Sequence, residues 1–154
     1  MEPADLLTND RVVVDRTFSS KKSLLECAAE LLSVGPEAAS SRDIFQALCQ
    51  RERLGSTGLG HGVAIPHCRV EQSGATGALI RLARPIDFDS PDGERVDLFF
   101  ALSVPADCSE SHLKLLSSIA GHFGDETQRK RLREAQDSES LIRVLREAPA
   151  GVES

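Results

Sequence analysis

Apolar residues recur every three or four positions in five segments of the chain, which is the spacing of amphipathic helices. A serine or aspartate stands at the start of each segment, where a side-chain oxygen can cap the first free backbone N–H groups. In the third segment, Leu113 belongs to the expected apolar face. The predicted helices run from about Lys21 to Val34 with Ser20 as N-cap, from Ser40 or Ser41 to about Leu54, from Ser109 to Gly124, from Asp125 onward, and from Ser138 to a point before Pro149.

Short β-branched and apolar runs between these helices predict strands at Val12-Val13-Val14, Val63 to Ile65, Gly77 to Ala83 and Val96 to Val104. We expect the first at an edge of a sheet. The last is almost continuously apolar, as a central strand covered on both faces would be. Helices before, between and after strands indicate an α/β single domain, with a mixed β-sheet of about five strands flanked by helices on both faces.

We expect residues 1–154 to form this single domain, with a compact core from about residue 10 to 148 and flexible termini. The formal net charge of −6 argues against a nucleic-acid-binding protein, which needs clustered basic residues. The sequence has one basic cluster, Arg129-Lys130-Arg131 with Arg133. It is expected to be a solvated helix face near acidic residues, with docking of an acidic partner as the alternative.

No apolar run approaches the roughly 18 residues of a membrane span, so membrane insertion is not expected. Met1 to Asp10 lacks the apolar segment of a secretory signal, which favours a cytoplasmic protein. The cysteines, Cys27, Cys49, Cys68 and Cys108, are widely spaced and form no C-x-x-C pair. They are interpreted as reduced thiols, and neither a disulfide framework nor a zinc ribbon is indicated.

A glycine-rich loop from Gly55 to Gly62 leads into Ile65-Pro66-His67. Glycines let backbone N–H groups approach an anion closely, and serine or threonine hydroxyls add further donors. The candidate phosphate-binding residues are therefore Ser56, Thr57, Gly58 and Gly60. A neutral imidazole carries a nucleophilic lone pair, so His67 is the candidate phosphoryl acceptor.

Two further residues fit an anion site. His112 is expected in the first turn of a helix, where free N–H groups favour a nearby anion. Arg51 precedes the loop by one helical turn, and a guanidinium can pair with two phosphoryl oxygens. Each candidate also has a structural interpretation: a buried strand-end histidine for His67, an exposed histidine for His112, a surface ion pair for Arg51, and ordinary turn residues for Ser56 and Thr57.

Other kinds of site fit the sequence less well. The G-x-x-x-x-G spacing of the loop lacks the lysine and Ser/Thr of a P-loop, so ATP binding is not expected. His61, His67, Cys68 and His112 could supply zinc ligands, but their spacing is unusual for such a site. A serine hydrolase using Ser56 would need a G-x-S-x-G elbow, which is absent from the sequence. No cofactor is expected.

The segment Arg51 to Gly60 with Ile65-Pro66-His67, together with Val104 to Asp107 and Ser111-His112-Leu113, resembles a known family. It is similar to the enzyme IIA component of the bacterial phosphoenolpyruvate-dependent phosphotransferase system, fructose/mannitol type, and most similar to the nitrogen-regulatory branch. The likeness extends from about Leu24 to about Leu145, and it implies helices packed on a mixed sheet.

The resemblance implies that His67 is the phosphorylated residue. It also implies that His112 lies across from it and hydrogen-bonds the imidazole or the phosphoryl group, and that Arg51 takes part in binding the phosphorylated histidine. His61 and Cys68 depart from the family, where asparagine and glycine are more usual. The resemblance therefore does not define the rim of the site. His61 is expected to tolerate an unusual φ, and Cys68 to affect access or to be oxidisable.

The implied phosphoryl donor is a small phosphocarrier protein with a phosphohistidine. The phosphoryl group then passes to a sugar-specific IIB domain, or the phosphorylation state itself acts on regulatory target proteins. A chain with no IIB, IIC or carrier segment favours regulation related to nitrogen, with a sugar-specific component for fructose or mannitol uptake as the alternative.

Overall fold

A six-stranded mixed sheet forms the centre of the computed structural model, which describes residues 2–107 and 110–147. The strands are β1 Val12–Arg16, β2 Gly58–Gly60, β3 Val63–Ala64, β4 His67–Val70, β5 Thr76–Ile86 and β6 Val96–Pro105. The strand order is β1-β5-β6-β3-β2, and β4 also pairs with β6. β5 and β6 are antiparallel, whereas β1 is parallel to β5, and both β3 and β4 are parallel to β6. The predicted edge position of β1 and central position of β6 are both confirmed.

Five α-helices lie in the described residues: α1 Lys21–Leu32, α2 Ser41–Arg53, α3 Glu110–Gly124, α4 Glu126–Glu134 and α5 Ser138–Arg146. Side-chain N-caps explain where most of these helices begin. The Ser20 and Ser40 hydroxyls accept from the N–H groups of residues 23 and 43, and Asp125 caps α4 in the same way. The predicted cap of α5 at Ser138 is one residue off, because the Asp137 carboxylate accepts from the Ser140 N–H. The predicted cap at Ser109 lies outside the described residues.

The two faces of the sheet bury separate apolar clusters. Side chains alternate along β6, so that Phe99 and Ala101 pack toward α1 and α2 while Phe100 and Leu102 pack toward α3, α4 and α5. This arrangement confirms the predicted mixed sheet with helices on both faces. It also explains why β6 is apolar at nearly every position, since every residue of the strand except Asp97 is buried.

The core begins closer to the N-terminus than expected. Two short 3₁₀ turns, Pro3–Leu6 and Asn9–Arg11, precede β1. Ala4, Leu6 and Leu7 are buried in the cluster on the α3 side of the sheet. The predicted start of the core near residue 10 is therefore wrong, because these apolar side chains cover the sheet beside α3 and α5. Residues 148–154, where a flexible terminus was expected, lie outside the described residues.

β3 and β4 together form one interrupted line along β6. Val63 pairs with Leu98 and His67 with Leu102, so the offset between partners is the same in both strands. Pro66 lies between them and has no N–H to donate, although its carbonyl still accepts from the Leu102 N–H at 2.9 Å. The proline thus breaks the strand without changing its register, and His67 begins the second part.

The basic cluster is only partly solvated. Arg129 is buried and donates to the Phe123 carbonyl, while Arg131 and Arg133 pair with Glu147 and Asp97. Lys130 is exposed. The expected acidic neighbours are therefore present, but Arg129 serves to connect α4 to the end of α3. None of the helices in the described part of the chain has the length and apolar character required to cross a lipid bilayer.

A buried histidine connects the three helices on one side of the sheet. The Gln128 side-chain N–H group donates to His122 Nδ1 at 3.2 Å and also contacts the carbonyls of Val144 and Glu147 at the end of α5. Because Nδ1 accepts in this arrangement, the ring is neutral and carries its proton on Nε2. Burial lowers the pKa of His122, against smaller raising effects of the Glu2 and Asp125 carboxylates.

We expect this lowered pKa to make stability decrease in mild acid. The unfolded chain binds the proton near the ordinary histidine pKa of about 6.5, whereas the folded state resists it, so the free energy of unfolding falls as pH decreases from 8 to 5.5. His122→Gln removes the titration and keeps an oxygen that can accept from Gln128. Urea unfolding at both pH values should show a larger decrease for the wild type than for His122→Gln; equal decreases would contradict the prediction.

Candidate functional site

A cavity of about 590 Å³ opens beside β4, between the end of α2 and the start of α3. It brings together three residues that are far apart in the sequence: Arg51 from α2, His67 from β4 and His112 from α3. The sequence predicts His67 as acceptor, His112 as its partner and Arg51 as anion-binding group, and the fold gathers all three around one opening. Their convergence results from the pairing of β4 with β6, since β6 leads to α3.

The His67 ring is oriented by its own backbone segment. Its Nδ1 lies 3.0 Å from the carbonyl oxygen of Ile65, and a carbonyl can only accept, so Nδ1 carries the proton of the neutral ring. The lone pair is then on Nε2, and none of the side chains of residues 2–107 and 112–147 forms a hydrogen bond with this nitrogen. His67 is half-buried and lines the cavity. This geometry leaves one nucleophilic nitrogen available.

Arg51 and His112 form part of the wall on the helical side. Arg51 is half-buried, and its Nη1 donates to the Gly55 carbonyl at 2.9 Å, which ties the last turn of α2 to the start of the glycine loop. The alternative of a surface ion pair with a glutamate is not observed among the ion pairs of the described residues. His112 is also half-buried and lies in the first turn of α3, as predicted.

The glycine loop does not line this cavity. The Ser56 hydroxyl donates to the Phe88 carbonyl at 2.8 Å and accepts from the Gly58 N–H at 3.1 Å. The hydroxyl and N–H of Thr57 both donate to the Glu52 carboxylate. Gly60 has φ +95°, which favours glycine at this turn before β3.

The anion cradle expected from Ser56, Thr57, Gly58 and Gly60 therefore differs from the geometry observed. The two hydroxyls and the Gly58 N–H are directed to acceptors within the protein, because the loop continues into the short hairpin of β2 and β3. A serine hydrolase is not supported by this arrangement, since the Ser56 hydroxyl bonds a carbonyl and not a histidine.

His61 lies away from His67, in a larger cavity of about 840 Å³ that also contains Asp97 and Arg133. Its φ of +57° agrees with the expected tolerance of an unusual backbone conformation. Its N–H donates to the Asp92 carboxylate at 2.9 Å, and this bond is the main cause of the lowered pKa of Asp92. In the described part of the chain, no group of three or more His, Cys, Asp and Glu residues is arranged to hold a metal ion. The hypothetical zinc ligands are thus divided between two cavities.

Cys68 follows His67 and is buried at the wall of the His67 cavity. Burial raises the pKa of its thiol to about 11, against a smaller lowering by a hydrogen bond with the Ser103 side chain. The thiol is therefore protonated at neutral pH, and a thiol is a weaker nucleophile and slower to oxidise than a thiolate. Cys27, Cys49 and Cys68 are free cysteines, while Cys108 lies outside the described residues.

Several residues that line the cavity were not predicted from the sequence to belong to the site. Arg69 lines it and is exposed, and because side chains two residues apart share a strand face, it lies on the same side of β4 as His67. Leu54 and Leu113 line the rim and are 84% and 58% exposed. The strand period starting from His67 could have identified Arg69, but β4 itself was not predicted. Leu113 was expected in the core, yet Leu115 is buried instead.

Known proteins share both the sequence and the fold of this chain. Residues 5–148 match the protein family described as "Phosphoenolpyruvate-dependent sugar phosphotransferase system, EIIA 2". The chain is 43% identical to a nitrogen regulatory protein of Klebsiella oxytoca over 137 residues, covering 88% of this chain and 84% of that protein. It is 41% identical to a nitrogen regulatory protein of Pseudomonas aeruginosa over 141 residues, covering 91% and 92%.

Among solved structures, the nitrogen regulatory protein IIA-Ntr from Neisseria meningitidis superposes with a TM-score of 0.87 at 42% identity, covering 92% of this chain and 97% of that one. The match to the family extends over nearly the entire chain, and these relatives are similar over most of their own lengths. The chain therefore belongs to the type 2 enzyme IIA family of the phosphoenolpyruvate-dependent phosphotransferase system.

Proposed function

We propose that His67 accepts a phosphoryl group from the phosphohistidine of a small phosphocarrier protein. The observation that carries this proposal is the hydrogen bond from His67 Nδ1 to the Ile65 carbonyl, which leaves the Nε2 lone pair at the cavity. A neutral imidazole held in one tautomer is a prepared nucleophile, because no proton has to be removed before attack. Membership of the family supports the same role.

The transfer exchanges one P–N bond for another. Nε2 of His67 donates its lone pair to phosphorus while the bond to the carrier nitrogen breaks, and that electron pair returns to the carrier imidazole. The positive charge of the phosphorylated ring moves from the carrier to His67, where the Ile65 carbonyl stabilises the Nδ1–H that bears part of it. The two bonds are similar, so the transfer should be reversible, and no cofactor or metal ion is required.

Arg51 and His112 are proposed to hold the phosphoryl oxygens. Both line the cavity with His67, and a guanidinium stays charged throughout the reaction. We propose that the loop residues have a structural role and do not contact the phosphate directly; these residues are Ser56, Thr57, Gly58 and Gly60. Their hydrogen bonds and backbone angles fix the turn that leads to His67.

The fate of the phosphoryl group is proposed to be regulatory. The relatives in Klebsiella oxytoca and Pseudomonas aeruginosa carry the name nitrogen regulatory protein, and they cover this chain almost from end to end. A phosphohistidine at the cavity adds charge and acceptor oxygens at one place on the surface, so a partner protein can distinguish the two forms. Because phosphoenolpyruvate is a cytoplasmic metabolite, this reaction would take place in the cytoplasm.

Three experiments test these proposals separately. The chain is incubated with phosphoenolpyruvate, enzyme I and a phosphocarrier protein, and mass spectrometry should detect one acid-labile phosphoryl group; failure with each of several carriers would contradict the acceptor role. Pull-downs with the phosphorylated and unphosphorylated protein should then retain different partners. Restored growth on fructose or mannitol in a host without its IIA component would instead favour the sugar-specific alternative, in which a IIB domain receives the phosphoryl group.

The exposed leucines at the cavity rim support a protein as donor. Leu54→Ser should raise the KM for the phosphocarrier severalfold and leave kcat nearly unchanged, because the leucine adds apolar contact area at a distance from the reacting nitrogen. Leu59→Ser is the matched control, since Leu59 is 46% exposed and does not line this cavity. Equal KM values for the two variants would contradict docking at this rim.

A further inference from the structure

We infer that Glu52 is a positioning residue for His67, acting through Thr57 and Ile65 to fix the tautomer of the imidazole. This inference rests on the proposed role of His67 as phosphoryl acceptor. Glu52 does not line the cavity, so it has no direct contact with a phosphoryl group bound there. Its carboxylate nevertheless stands at the start of a series of hydrogen bonds that ends on the His67 ring.

The Glu52 carboxylate is held in a fixed place. Its side chain is only 6% exposed, and one oxygen lies 2.9 Å from the Lys21 ammonium group. Lys21 is itself confined, since it also lies 3.6 Å from Asp89 and 4.4 Å from the centre of the Phe88 ring. A buried carboxylate requires such a partner, because leaving it unpaired is unfavourable. The pair also joins the end of α2 to the start of α1.

The Glu52 carboxylate holds Thr57 by accepting from two of its donor groups, the backbone N–H and the hydroxyl. The Thr57 N–H lies 3.2 Å from one carboxylate oxygen and 3.3 Å from the other, and the Thr57 hydroxyl donates to the same carboxylate. Thr57 is 7% exposed, so water cannot readily replace this acceptor. With its N–H and side chain both held, the direction of the Thr57 backbone is determined.

The Thr57 carbonyl then holds Ile65. It accepts from the Ile65 N–H at 3.0 Å, and this bond crosses from the glycine loop to the segment that precedes His67. The carbonyl of the same Ile65 accepts from His67 Nδ1 at 3.0 Å. Both backbone groups of Ile65 are therefore occupied, one by the loop and the other by the imidazole.

The last bond decides which nitrogen can react. If the Ile65 carbonyl turned away, the ring could also adopt the tautomer with its proton on Nε2, and the nitrogen facing the cavity would then have no lone pair. Loss of Glu52 should therefore lower the fraction of reactive imidazole without removing any group that contacts the carrier. The effect belongs to kcat and to the tautomer equilibrium, not to docking.

The test uses the full chain with Glu52→Ala, Glu52→Gln and the control Glu26→Gln, which changes the charge equally at an exposed site on α1. Nitrogen-15 NMR of the unphosphorylated protein reports the His67 tautomer. We expect mainly Nδ1–H in the wild type and in Glu26→Gln, and a lower fraction in Glu52→Ala. The kcat for phosphoryl acceptance should fall about tenfold in Glu52→Ala, with KM for the carrier changed less than about twofold. Glu52→Gln keeps one acceptor oxygen for Thr57 and should give intermediate values.

Thr57→Val covers the case in which Glu52→Ala does not fold. It retains the β-branched shape and the backbone N–H bond but loses the hydroxyl bond to Glu52, so a smaller shift in the same direction is expected. A wild-type tautomer and wild-type kcat in every folded variant would overturn the inference. A shifted tautomer in a protein that no carrier phosphorylates would uphold Glu52 as a positioning residue and reject the phosphoryl-acceptor function.

Discussion

Replacing His67 by alanine is expected to abolish phosphorylation by the carrier. The substitution removes the Nε2 lone pair, and the described wall of the cavity offers no equivalent nucleophile in that place. Cys68 is buried with its thiol pKa raised to about 11, and His112 reaches the cavity from another element, α3. Loss of a covalent nucleophile typically reduces the rate by several orders of magnitude. Mass spectrometry after incubation with phosphoenolpyruvate, enzyme I and carrier should find no added phosphoryl group.

His61→Asn is the matched control for this experiment. His61 lies in the other cavity, and asparagine tolerates the left-handed backbone conformation that His61 adopts at φ +57°. This variant should be phosphorylated like the wild type. Phosphorus-31 and nitrogen-15 NMR of the wild type should place the phosphoryl group on Nε2, because Nδ1 is bonded to Ile65. Full labelling of His67→Ala would remove His67 from the acceptor role.

Phe99→Ala should cause the largest loss of stability among the substitutions considered, about 3–5 kcal/mol in the free energy of unfolding. Phe99 is fully buried on the central strand β6, and its ring packs edge-on against Phe88 with centroids 5.9 Å apart. Removing it leaves a cavity between the sheet and α1 and α2, where the surrounding side chains cannot close the space completely. A loss of this size is a large share of the stability of a typical domain.

Urea unfolding monitored by circular dichroism measures this change, with Leu113→Ala as the control. Leu113 is 58% exposed, so its truncation should change the free energy of unfolding by less than about 0.5 kcal/mol. Similar losses in both variants would show that the face of β6 toward α1 and α2 contributes less to stability than its burial indicates. The same control checks that Leu113 belongs to the cavity rim and not to the core.

The helices were largely predictable from the sequence because their signals are local. Ser20, Ser40 and Asp125 each cap the helix that follows them, and a cap needs only a side chain and the next few backbone N–H groups. The long strands β5 and β6 were also predictable, since most of the residues in each are apolar. The short strands β2 and β4 were not, because glycine, proline and charged residues weaken their local signal.

The wrong prediction that Leu113 of α3 lies in the core has a similar explanation. Helical spacing correctly puts Leu113 on a face with Leu116 and Ile119, but the first turn of α3 lies beside the cavity and not over the sheet. Periodicity identifies which residues share a face, whereas the position of a helix relative to its neighbours decides how much of that face is covered. Arg69 was missed for the same kind of reason, since its position beside His67 depends on a strand that is defined by pairing with β6.

The sequence by itself determined the helix caps, the apolar character of the central strand and the α/β class, and it identified His67 as the candidate acceptor, because each of these depends on residues close together in the chain. The tertiary structure decided which donors point into the cavity: Arg51 and His112 do lie along it, while Ser56 and Thr57 bond Phe88 and Glu52. A hydroxyl in a loop can serve a ligand or the protein equally well, and only the acceptors that folding brings within about 3 Å determine which one it serves.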